Sequence, residues 1–256
     1  MSWIDLDVAD GLATITLQNE RRRNAINVHL ADELVRACAE VDSDRAIGAV
    51  VLRGAGGFFC SGGDRDELAE ICGDPTSPEH IDMTSRIYAA FLRVGELAPP
   101  TIAAVRGGAL GAGINLALAT DVRVVARDAV VASGFTRLGV HPGGGHYGLL
   151  SQAMGVEGAA ALGLLGHSVT GARAVELGFA LEACADADVE GRAVELARYA
   201  AADPDLARAA KASFVTETGP PALPWKAAVQ VERAPQMWSF ARKGKAGWER
   251  PEAPTA

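Results

Sequence analysis

No apolar run in this 256-residue sequence approaches the roughly 18 residues that a membrane-spanning helix requires. Aromatic residues make up only 5% of the chain, and its four cysteines (Cys38, Cys60, Cys72, Cys184) show no CxxC spacing. Such scatter supports neither a zinc site nor a disulfide framework. Basic character is missing as well. The net charge is −8, and Arg21-Arg22-Arg23 is the one dense basic run before the C-terminal end, which argues against a nucleic-acid partner. The opening residues, Met1-Ser2-Trp3-Ile4-Asp5, lack the charged and apolar regions of a signal peptide. These absences lead us to expect a soluble, cytoplasmic protein without a transmembrane segment. What is present is a 49% hydrophobic share, ample for one sizeable core, and 29 glycines that need a reason.

Two alternating segments, Ile4 to Val8 and Ala13 to Leu17, flank Ala9-Asp10-Gly11 and predict a β-hairpin. Leu30, Leu34, Ala37 and Val41 recur at helical spacing. Ala49 to Leu52 and Thr101 to Val105 are continuous apolar runs of buried-strand length, with a short segment at 64–71 and a helix near 81–97 between them. Strands at 122–125 and 130–132 follow a helix expected over 110–119. Strand–helix–strand units in series imply an α/β fold with a mainly parallel sheet. From about residue 186 the pattern turns helical: 189–202, 205–217, then 222–239 after Pro220-Pro221. The expected division is therefore an α/β core over 1–185 and a helical region over 186–256. The polar tail from Arg242, with Pro251 and Pro254, is expected to be loosely ordered.

The glycines fall in three clusters: Gly54 to Asp64, Gly107 to Gly113 and Gly139 to Gly145. Glycine admits positive φ and close approach of backbone amides to a ligand. Ordinary tight turns explain any single cluster. Two clusters, each between a strand and a helix, suggest a pair of amides converging on one anionic centre. Familiar motifs do not account for them. Gly143-Gly144-Gly145-His146-Tyr147-Gly148 satisfies GxGxxG but lies far from the preceding strand, no GxxxxGK[ST] occurs, and Gly166 to Thr170 misses GxSxG.

Asn24-Ala25-Ile26-Asn27, Phe58-Phe59-Cys60-Ser61-Gly62-Gly63-Asp64 and Ala103 to Gly113 together resemble the crotonase (enoyl-CoA hydratase/isomerase) family. Leu138 to Pro142 and Val169 to Gly178 extend the resemblance, in order, over about residues 3 to 185. It implies a crotonase-like spiral of ββα units with a helical C-terminal trimerisation region, assembled as a homotrimer or a dimer of trimers. It also implies an acyl-CoA thioester as substrate or ligand, with no further cofactor and no metal. Two backbone amides hold the thioester oxygen in this family, and by position they are assigned to Ser61 and Ala112. Gly62, Gly63 and Gly111 of those loops are assigned to substrate binding. Asp64 is either part of the site or an N-cap in a capping box with Glu67. Arg21 or Arg22 is placed to meet a CoA phosphate, or belongs to a solvated basic loop.

The resemblance breaks where the family carries two catalytic glutamates. Asn115 and Phe135 occupy those positions. A carboxamide holds water but does not titrate near neutrality, and a phenyl ring does neither, so standard syn-hydration of an enoyl-CoA is not expected. His146 and His141 in the third glycine cluster are the candidate replacements, with a structural histidine satisfying loop groups as the alternative. Arg137 is a candidate partner for an acidic acyl group or a surface residue; His29, His80 and His167 look peripheral, and Tyr88 looks like core or interface. The leading expectation is an enoyl-CoA hydratase/isomerase-like protein with a non-standard site. A non-catalytic acyl-CoA binding or shuttling protein is the alternative. A hydrolase acting through a histidine-activated water is the third.

Overall fold

A computed structural model describes residues 2–219 and 221–243. Pro220 and the Pro251/Pro254 tail lie outside the described residues. The hairpin forms as β1 (Ile4–Ala9) and β2 (Leu12–Leu17), closed by Asp10 (φ 51°) and Gly11 (φ 78°). Gly11 is required twice over, since a Cβ there would lie 2.2 Å from the Ala201 carbonyl oxygen. Then follow α1 (Val28–Ser43), β3 (Ala49–Gly54), α2 (Arg65–Ile71), α3 (Pro78–Gly95), β4 (Thr101–Val105), β5 (Gly108–Leu110) and α4 (Ala112–Leu118). The second half contains β6 (Val122–Ala126), β7 (Val130–Ala132), α5 (Phe135–Leu138), α6 (His146–Ala159), β8 (Ser168–Thr170), α7 (Gly171–Glu176) and β9 (Glu182–Cys184). The chain continues through α8 (Val189–Ala202), α9 (Pro204–Thr218) and α10 (Trp225–Lys243). The helix expected over 110–119 starts two residues late, because 108–110 pairs with β7 as a strand.

A six-stranded sheet runs β1-β2-β3-β4-β6-β9, parallel apart from the β1/β2 hairpin, and a three-stranded sheet runs β5-β7-β8. Both faces of the large sheet are covered, which explains why its strands read as unbroken apolar runs. Val50, Leu52, Ala103, Val105 and Val125 face a core built with α1, α3, α4 and α6. Their alternating neighbours Ala49, Val51, Ile102, Ala104, Val124 and Ala126 face Val189, Ala193, Ala197 and Ala201 of α8. The boundary expected at 185/186 does not separate two cores, because α8 supplies the second layer of the same sheet.

Two buried cations fix α9 to that unit. Arg208, 5% exposed, donates to the carbonyls of Ile47 (2.9 Å), Val41 (2.9 Å) and Asp44 (2.8 Å). Lys211 reaches the Pro99 carbonyl at 3.2 Å and Asp121 at 2.7 Å. Truncating Arg208 to alanine would strand those carbonyls, and we expect a loss of about 2–4 kcal/mol in urea unfolding.

Candidate acyl-CoA site

The segment leaving β3 zips between two neighbours, and its pleat decides which amides are free. Toward β4 and β5, Phe59 N donates to Arg106 O (2.8 Å), Cys60 N to Gly108 O (3.2 Å), and Leu110 N to Cys60 O (3.0 Å). Toward the other neighbour, Ser61 N donates to Arg23 O (2.9 Å), Ile26 N to Gly62 O (2.7 Å) and Asp64 N to Ile26 O (2.9 Å). The Ser61 amide is therefore already engaged, which corrects the expected donor at that position. Gly63 bridges Ile26 through its neighbours' groups, so its own N–H points to the opposite side. Among the described residues it has no acceptor. Ala112 opens α4, where the first N–H groups lack helical partners, and Gly111 before it (φ 52°) supplies no side-chain cap. The two loops touch: a Cβ on Gly62 (φ 99°) would lie 2.8 Å from Leu110 O and 3.5 Å from Ala112 N. The loops that carry the free amides of Gly63 and Ala112 thus lie against each other.

Asn115, at the first of the two glutamate positions, belongs to a buried polar chain, and Phe135, at the second, packs against it. Asn115, 1% exposed, donates from Nδ2 to Gly143 O at 2.9 Å. A carbonyl only accepts, so the opposite end of the carboxamide is its oxygen. That Oδ1 lies 2.7 Å from His146 Nδ1, which must therefore carry the proton. The remaining nitrogen, Nε2, is left as an acceptor, and Ser133 Oγ sits 2.8 Å from it. Ser133 and His146 are 0% and 1% exposed, and burial depresses the imidazole pKa to about 4. The Phe135 ring meets the imidazole edge-on at 5.0 Å. His146 does not stand as an open acid/base group: both of its nitrogens are bonded, and a serine rather than a water occupies Nε2.

The other candidates separate from this chain. His141 is exposed, with Nδ1 2.7 Å from Pro142 O and its ring against Tyr147. Arg137 donates to Gly166 O at 2.8 Å and ties α5 down. Asp64 does cap α2, accepting from Asp66 N at 2.9 Å, but the capping box stays open because Glu67 accepts from Val28 N at the start of α1. Arg22 faces Asp64 (3.3 Å) and Asp66 (2.5 Å), whose carboxylates offset its charge. Arg21 is exposed and makes no ion pair with a described residue. An apolar cavity of about 660 Å³, lined by Tyr88, Phe91, Leu92, Leu118, Gly144 and Leu149, reaches the back of the polar chain. Gly144 separates the two, since a Cβ there would come within 2.9 Å of Asn115 Nδ2. Among the described residues no group of three or more potential metal ligands occurs, and no helix is long and apolar enough to cross a membrane.

The mixed α/β architecture of two sheets and packed helices defines the fold class, and relatives place the chain within a family. The enoyl-CoA hydratase/isomerase family pattern matches residues 7–247. The "Probable enoyl-CoA hydratase EchA14" of Mycobacterium tuberculosis is 39% identical over 219 residues, covering 85% of this chain and 83% of that protein. A Streptomyces coelicolor structure described as an enoyl-CoA hydratase superposes with a TM-score of 0.84 at 32% identity, covering 95% of this chain and 88% of that one. A Thermobifida fusca structure so described, solved in complex with CoA, gives 0.80 at 29% identity and covers 94% of each chain. The chain belongs to the enoyl-CoA hydratase/isomerase family, within the crotonase superfamily.

Proposed function

We propose that this protein binds an acyl-CoA thioester and holds the thioester oxygen on the Gly63 and Ala112 amides. The observation that carries the reading is a pair of unengaged N–H groups on two loops that touch, in a fold whose Thermobifida fusca relative was solved with CoA. The cavity of about 660 Å³ beside Asn115 supplies an apolar compartment for an acyl chain. Arg21, unpaired among the described residues, is the member of the basic triplet best suited to a CoA phosphate. Exposed Phe214 and Trp225 on α9 and α10 (56% and 83% exposed) fit self-association as a homotrimer or a dimer of trimers.

Hydration of a carbon–carbon double bond is not the chemistry this site favours. The Asn115 carboxamide is bonded at both ends, and Phe135 presents a ring where a carboxylate is needed. Each missing acid/base group removes about 10²–10⁴ in rate. A binder without turnover is favoured, as a second reading, by the closed hydrogen-bonding of the polar chain. Calorimetry with octanoyl-CoA and crotonyl-CoA, beside a crotonyl-CoA hydration assay, tests the proposal. We expect binding of both thioesters, and hydration at least about 10²-fold slower than in a family member that retains both glutamates. Absence of acyl-CoA binding would overturn the amide-pair reading.

A further inference from the structure

We propose that Ser133 is a nucleophile, activated by His146 and oriented through Asn115, and that the protein cleaves an acyl-CoA thioester by acyl transfer through this serine. The inference rests on acyl-CoA binding at the Gly63 and Ala112 amides and names what that site would do next.

Three observations carry it. The first is direction: the chain of donors ends on the Gly143 carbonyl, so the protons can be followed from Asn115 to Nδ1 of His146 and then to Ser133. This leaves the imidazole lone pair at Nε2 on the serine hydroxyl, the pairing that makes a serine nucleophilic, with a third residue fixing the tautomer. The second is position. Leu110 of β5 pairs with Ala132 of β7, and Gly111 N donates to Ala132 O at 3.0 Å. Ser133 is thus one residue past the strand that holds the turn leading to Ala112. Its carbonyl oxygen is the atom nearest to where a Gly111 Cβ would be, at 3.3 Å. The third is the cover. Phe135 lies over His146 on the four-residue α5, between Gly134 (φ 74°) and Gly139 (φ 71°), neither of which has an atom within 4 Å of a Cβ position. That ring must rotate away for an acyl group to reach the buried hydroxyl.

In the first step Ser133 Oγ attacks the thioester carbon and its proton passes to His146 Nε2, while the carbonyl oxygen takes negative charge between the two amides. The C–S bond then breaks, and the sulfur leaves with the proton from Nε2 as the CoA thiol. Water next attacks the seryl ester, giving its proton to Nε2, which returns it to Oγ as the carboxylic acid departs. The sum is thioester plus water to acid plus thiol.

The test incubates the full chain with octanoyl-, crotonyl- and phenylacetyl-CoA. Released CoA is measured by chromatography and the acyl group by intact mass and peptide mapping. We expect CoA release and an acyl mass on the peptide carrying Ser133. Ser133→Ala should retain acyl-CoA binding by calorimetry and release CoA at least about 10³-fold more slowly. Ser133→Cys should restore acyl attachment, which a purely structural hydroxyl would not do. Equal CoA release by wild type and Ser133→Ala overturns the proposal. So does saturated binding with no release and no adduct from any of the three thioesters, an outcome that leaves the binding reading standing. Failure of the wild type to bind any thioester removes that reading and this one together.

Discussion

Ala112→Pro is expected to leave the fold intact and remove the polarisation of a bound thioester. Proline is favoured at the first position of a helix, where its missing N–H has no intrahelical acceptor and its fixed φ is already helical. Here the amide has no acceptor among the described residues, and it faces Gly62, which has no side chain to meet the ring. Thermal unfolding should therefore shift by no more than a few degrees. The lost donor should weaken binding of a saturated acyl-CoA only about three- to tenfold, the scale of one neutral hydrogen bond. Any turnover of the thioester should fall by about 10²–10³, because the amide acts most strongly on the charge that develops on oxygen. A conjugated thioester such as cinnamoyl-CoA reports this directly: its absorbance should shift to the red on wild-type protein and shift far less on Ala112→Pro. Ser61→Ala is the matched control. Its hydroxyl donates to Arg22 O at 2.8 Å on an exposed edge, and its amide, which is engaged with Arg23 O, is unchanged by the substitution. An equal red shift in wild type and Ala112→Pro would show that the second free amide takes no part.

That prediction turns on a point the sequence shows only partly. The glycine clusters of residues 54–64 and 107–113 identify two loops where backbone approaches backbone, and the structure places them in contact through Gly62 and Ala112. Which amide of Ser61, Gly62 and Gly63 is free depends on the pleat, which depends on the partner at Arg23 to Ile26. Residue spacing does not reveal that partner, so the motif alone points to Ser61, two positions from the amide that is free. The strands were legible because a sheet covered on both faces needs unbroken apolar runs, as in Ala49 to Leu52 and Thr101 to Val105. For the same reason the pattern of α8 leaves its partner open. Val189, Ala193, Ala197 and Ala201 form a helical stripe whether they meet a sheet or another subunit. Ser133 carried no signal of its own, since a lone serine after a three-residue strand has no pattern to betray it. Only its hydrogen bond to His146, which Asn115 holds from the other side, sets it apart.

Acid titration should expose His146 through stability. Its side chain is neutral in the folded protein, with a pKa depressed to about 4 by burial from the ordinary value of 6.5. Ser133, Asn115, Phe135 and Tyr147 surround it, and none of them carries charge near neutrality to stabilise an imidazolium. Protonation would also remove the Nε2 lone pair to which the Ser133 hydroxyl donates. Above pH 6.5 both folded and unfolded chains hold the histidine neutral, and its contribution is fully present. Between pH 6.5 and about 4 the unfolded chain takes up a proton that the folded chain refuses, so stability falls with pH and levels off below the folded value. The full loss across this window is about 3 kcal/mol, from roughly 1.4 kcal/mol per pKa unit. Urea unfolding of wild type and His146→Gln at half-unit steps from pH 7.5 to 4 isolates the effect, since the carboxylates titrate alike in both. The wild type should lose this increment and the variant should not. Parallel curves would mean that the folded chain takes up the proton as readily as the unfolded one, and a gain in wild-type stability on acidification would mean that the imidazole is already protonated when folded; either would undo the direction of the Asn115–His146–Ser133 chain.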